Sequence, residues 1–72
     1  MTELEVKMLV RKFAYSTTQR SKANLENQIH GVISSGNHEQ AIWVSRWLLE
    51  FNWRIEKDAY YRLEAQIHRV HH

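Results

Sequence analysis

Seventy-two residues make room for one domain, residues 1–72; a core that small is marginal unless a disulfide, a metal or a second chain supports it. Cysteine is absent, which excludes a disulfide framework and a thiolate zinc site; proline is absent too and glycine occurs only at 31 and 36, which favours a few long helices over a turn-rich β fold. The formal net charge of +2 is too small to mark a nucleic-acid binder by itself.

Thr2-Glu3-Leu4-Glu5 has the form of a capping box, in which the Thr2 hydroxyl accepts from the Glu5 amide and Glu5 reaches back. Behind it Val6, Leu9, Val10 and Phe13 recur at i, i+3, i+4 and i+7, one apolar face of a helix over about 3–15. Leu4, Val6, Met8 and Val10 also alternate as a strand would, so residues 4–10 stay open between helix and strand. Glu3 and Glu5 near the start do not resemble a basic secretory leader, and no run approaches the roughly 18 apolar residues of a membrane span. The expectation is a cytoplasmic protein.

A second helix over about 18–34 is expected from Leu25, Ile29, Val32 and Ile33. That cluster lies about 100° further round than the one centred on Val6, so one straight helix cannot aim both at a flat partner. The Ser-Thr-Thr run within residues 15–19 supplies a bend or a break, because hydroxyls compete for backbone hydrogen bonds and cap new helices. A kinked helix and two separate helices both fit. The next boundary falls at Ser34-Ser35-Gly36-Asn37. Gly36 is expected in the left-handed conformation, and Asn37 as a cap with Gln40 at the capping-box position. Gly31 is a rival stop, and His30 near the helix end reads as a partner of the helix dipole.

From His38 the pattern predicts one helix to about residue 69, roughly 45–50 Å long, with a second start at Asp58 possible but not required. Ala41, Val44, Leu48, Phe51, Ile55, Ala59, Leu63 and Val70 share one arc. Glu50 with Arg54, and Asp58 with Arg62, are spaced for i, i+4 ion pairs on a solvated face. Between Ala41 and Trp53 this helix is apolar on nearly every side: Trp43 and Trp47 flank the Phe51 face, while Ile42, Leu49 and Trp53 point away from it. A helix apolar all round is buried all round, and the remaining segments cover only one side. The predicted architecture is therefore all-α, a helical hairpin or three-helix unit (about 3–15, 18–34 and 38–69) that pairs into a homodimeric bundle. Its dimer or partner interface is drawn from Ile42, Trp43, Trp47, Leu49, Phe51 and Trp53.

Residues 1–23 are the basic part of the chain, with five cations against two carboxylates. Lys7, Arg11, Lys12, Arg20 and Lys22 form a possible nucleic-acid strip, with Gln19, Asn24 and Gln28 as polar readers beside a bend; a solvated helix face is the plainer reading. Tyr60, Tyr61 and Arg62 have the chemistry to stack on bases, although Tyr60 is placed to pack beside Trp53. His68, His71 and His72 have spacing that suits Zn²⁺ or Ni²⁺, but histidines at a fraying chain end are usually incidental. Ser34-Ser35 reads as turn chemistry, and no nucleophile, base and orienting carboxylate fall in a known pattern. No catalytic residue, metal site or cofactor is expected.

The short chain without cysteine or proline, and its tryptophan-rich stretch Ala41-Ile42-Trp43-Val44-Ser45-Arg46-Trp47-Leu48-Leu49, resembles the small helical proteins encoded in the early regions of lambda-like bacteriophages, between the exonuclease and excisionase genes. The resemblance implies a non-enzymatic, host-directed regulator that acts through contacts with a host protein in the host cytoplasm. An early protein that binds DNA is equally compatible with it. No residue role is carried over.

Overall fold

In the computed structural model, which describes residues 1–71, four α-helices follow one another: α1 (Glu3–Tyr15), α2 (Gln19–Ser35), α3 (His38–Glu50) and α4 (Lys57–Val70). A single 3₁₀ turn (Asn52–Arg54) lies between α3 and α4. The capping box decides the first segment for helix: Glu5 N donates to Thr2 Oγ1 at 3.2 Å and Thr2 N donates to Glu5 Oε1 at 2.8 Å. Those bonds hold the Glu5 carboxyl below the usual carboxylate range. With the helical phase set, Val6, Leu9, Val10, Phe13 and Ala14 all turn inward.

The Ser-Thr-Thr run makes a true break. Ser16 is extended and its hydroxyl donates to Phe13 O at 2.8 Å, closing α1, while Thr18 Oγ1 accepts from Ser21 N at 3.1 Å and opens α2. α2 runs straight through Gly31, so Gly31 is no stop. Gly36 ends it, but not in the left-handed conformation expected: its φ is −81°. Glycine is needed there for space, since a Cβ would lie 2.5 Å from the Val32 carbonyl oxygen. Asn37 Oδ1 then accepts from Gln40 N at 2.9 Å as the cap of α3. The Gln40 side chain does not complete a capping box; it donates to Met1 O at 3.0 Å and ties down the chain start.

The long helix expected over 38–69 is two helices, the second beginning at Lys57, one residue before the possible second start at Asp58. α3 ends at Glu50, Arg54 N and Ile55 N close the 3₁₀ turn onto Phe51 O and Asn52 O, and Ile55 is extended. No proline or glycine marks this place. The reason lies in packing: an unbroken rod would carry Ala59, Leu63 and Ile67 past the end of α1 and α2, whereas the folded chain extends only 30 Å along its longest axis. Folding back lets α4 pack on α2 and α3, while α1 packs on the same two helices. Val6, Val10, Ile29, Ile33, Val44, Leu48 and Leu63 fill the centre and are almost wholly buried. Each contributes roughly 1.5–3 kcal/mol of transfer free energy. Val70, expected in the same arc, is exposed because it sits on the last turn of α4.

A polar network joins α2 to α4. Arg62 does not pair with Asp58 along its own helix; it donates through Nε and Nη2 to the two carboxylate oxygens of Glu26, both at 2.9 Å. Hydrogen bonding from Arg62 is the main reason the Glu26 carboxyl lies below its usual range. His30 is not a dipole partner either: its Nε2 meets Glu26 Oε2 at 3.1 Å and its Nδ1 meets Gln66 Oε1. Gln66, a buried polar residue, also donates to His30 O at 3.2 Å and Ser34 Oγ at 2.6 Å. Burial leaves every polar atom of this amide with a partner, as its desolvation requires. Glu50 and Arg54 make no ion pair, because the helix that would have aligned them stops between them.

Candidate interaction surfaces

The six residues expected to form one interface lie in three places. Trp43, Trp47 and Phe51 are half-buried and pack against the core. Ile42 and Leu49 remain 47% and 64% exposed on the outer side of α3. Trp53 is 68% exposed and belongs to the 3₁₀ turn, so it shares no helix face with them. Most of the apolar stretch from Ala41 to Trp53 is thus covered within one chain, chiefly by α1 and α2, with a smaller contribution from α4. What stays open is narrower: Ile42 and Leu49, seven residues and so about two turns apart. They edge a shallow groove of about 430 Å³ between α3 and α4, bounded also by Ala41, Ser45, Arg46 and Ile67.

A second surface runs along the seam between α1, the end of α3 and the 3₁₀ turn. Four aromatic rings follow one another at centroid steps of 6.3 Å: Trp47 to Phe51, Phe51 to Tyr15, Tyr15 to Trp53. Both contacts of Tyr15 are edge-to-face, the arrangement the ring quadrupole favours. Three cations sit over this row. Lys7 Nζ lies 4.9 Å from the Trp47 ring and Arg11 Cζ 5.3 Å from Tyr15; Arg54 Cζ lies 4.2 Å from Tyr15 and 5.6 Å from Trp53. Such contacts are worth about 0.5–1 kcal/mol each at exposed sites. Among the described residues, none of the three has a carboxylate within ion-pair distance.

The basic strip expected over residues 7–22 is divided accordingly. Lys7 and Arg11 join the aromatic seam. Lys12 is exposed on α1 and takes no part in it, and Arg20 is exposed on α2, beyond the Ser16–Thr18 break. Lys22 lines an adjoining cleft of about 250 Å³ that Arg54 and Arg62 also edge; there Arg62 is paired with Glu26, while Arg54 has no carboxylate within ion-pair distance among the described residues. Nothing in the sequence assigns Tyr15 or Arg54 to a binding surface. Arg11 and Tyr15 are one turn apart and Trp53 and Arg54 adjacent, a local hint; that the two pairs meet is a tertiary fact with no sequence signal. Tyr60 lines a cleft with Trp53 and Tyr61, but its ring partner is Tyr61, centroids 5.9 Å apart. Burial raises the Tyr60 hydroxyl above its ordinary value.

The C-terminal histidines do not converge. His68 faces Glu64 at 3.8 Å, and His71 Nε2 donates to Ile33 O at 2.8 Å beside the His38 ring; His72 lies outside the described residues. Among the described residues no group of three histidine or acidic side chains is placed to hold a metal ion, and no helix is long and apolar enough to cross a membrane. No family model, curated protein or solved structure matches the chain.

Proposed function

We propose that this chain is a non-enzymatic interaction protein that pairs with a second copy of itself through the outer face of α3, and that the pair acts by binding another protein. The observation that carries the reading is the exposure of Ile42 and Leu49 on one side of a helix whose other sides are covered. Aliphatic side chains at i and i+7 form a ridge that fits the groove of a facing helix. In an isologous contact with antiparallel α3 helices, Ile42 packs against the partner's Leu49 and the reverse, which closes the assembly at two chains. The small core adds a reason to pair. The likeness of the tryptophan-rich stretch to phage early-region proteins supports a regulatory, host-directed role in the host cytoplasm.

Sedimentation equilibrium tests the pairing. The wild-type protein is expected at twice its 8.7 kDa chain mass in the micromolar range, and Leu49→Asp at the single-chain mass with its helical circular dichroism retained. A wild-type protein that stays monomeric at several hundred micromolar refutes the reading.

A further inference from the structure

We infer that the aromatic seam of Trp47, Phe51, Tyr15 and Trp53, with Lys7, Arg11 and Arg54 over it, is a binding surface for single-stranded nucleic acid. The inference goes beyond self-pairing and is independent of it, since Trp47 lies about 160° round α3 from Leu49.

Three features of the seam select this partner. The cations are unneutralised: Lys7, Arg11 and Arg54 make no ion pair among the described residues, and even Glu50, one turn before Arg54, leaves it free. The guanidiniums are already spread over ring faces, with Arg54 between Tyr15 and Trp53. They are held in place by stacking while their N–H edges remain for phosphate oxygens. The third feature is the open Trp53 ring, 68% exposed at the end of the row, beside a cleft lined by Tyr60, Tyr61, Asn52 and Lys57. An exposed ring next to an unpaired cation offers a base a face to stack on and its phosphate a charge to meet, the combination by which single strands are bound with little sequence preference. A paired duplex hides its base faces and offers phosphates and groove edges, neither of which Trp53 can stack on. A run of acidic side chains satisfies the cations but offers Trp53 no flat group to stack on.

The test uses the full chain and fluorescein-labelled oligothymidine, followed by anisotropy and by quenching of tryptophan emission. With three cations engaged, the logarithm of affinity is expected to fall with that of salt at a slope of about −2, a loss of roughly twentyfold between 50 and 200 mM. Trp53→Ala is expected to weaken binding by roughly fivefold to hundredfold, and Arg54→Ala by a comparable factor. Trp53 and Arg54 are exposed, so melting curves should show both variants folded. Arg20→Ala with Arg69→Ala, both exposed and outside the seam and the clefts beside it, should leave affinity within about twofold. Binding absent at 50 mM salt, or unchanged in both seam variants, overturns the proposal. So does equal affinity for duplex DNA, which would indicate phosphate attraction alone, or stronger binding of an equally long polyglutamate, which would mark an acidic protein as the partner.

Discussion

Replacing Glu26 by Gln keeps the shape of the α2–α4 network and removes its charge. Glu26 accepts two bonds from Arg62 at 2.9 Å, His30 Nε2 lies 3.1 Å from its Oε2, and its side chain is only 14% exposed. A hydrogen bond to a charged group contributes about 1.5–3 kcal/mol when buried, but Arg62 is 55% exposed, and screened pairs are worth a fraction of that. The expected cost is about 1.5–2.5 kcal/mol at neutral pH, a fall in Tm of roughly 6–20 °C for a domain of this size. The pH dependence has a definite sign. The folded-state carboxyl lies below its ordinary 4.5, so its contribution is complete above 4.5 and disappears as pH falls through the folded value. Urea unfolding followed by circular dichroism at pH 7 and pH 3 measures both effects. The gap between wild type and Glu26→Gln should be wide at pH 7 and narrow at pH 3. Equal stabilities at pH 7, or a gap that persists undiminished in acid, would refute the assignment of the α2–α4 contact to this carboxylate.

Two further substitutions probe the packing. Leu63 on α4 is fully buried, and Leu63→Ala should cost about 2–5 kcal/mol, enough to leave much of so small a domain unfolded in a thermal melt; a loss under 1 kcal/mol would mean α4 is not docked as described. The two glycines should respond in opposite directions. Gly31→Ala meets open space within α2 and should stabilise by about 0.5–1 kcal/mol, whereas Gly36→Ala forces a Cβ against the Val32 carbonyl and should destabilise by about 1–3 kcal/mol. Urea midpoints that move the same way for both would contradict that geometry.

Local chemistry explains which parts of this fold were legible. The Thr2–Glu5 box, the Thr18 and Asn37 caps and the phase difference between Val6 and Ile29 are all set within a few residues, and the helices begin where those signals stand. The break after Glu50 has only the acidic Asp58 in the first turn of α4 to mark it, with no side-chain cap: its cause is the distance α4 must travel to reach Ile29 and Ile33, which only the assembled core defines. For the same reason the outward set at Ile42 and Leu49 was readable from helical spacing, while Trp53 was assigned to a face it does not share. Gln66 and His30, 36 residues apart, carry no mark in the chain that they will meet.

The contact that spans those 36 residues also bears on how the chain reaches its native state. The connections at 16–18, 36–37 and 51–56 are short, so neighbouring helices can form hairpins after searching little conformational space, and helical topologies of this kind reach the native state in microseconds to milliseconds. Joining α4 to α2 closes the widest loop of the polar network and cannot repay its closure entropy until α3 has reversed direction. The bonds from Arg62 and Gln66 therefore form late. A Glu26→Gln protein should then unfold faster while folding at nearly the wild-type rate.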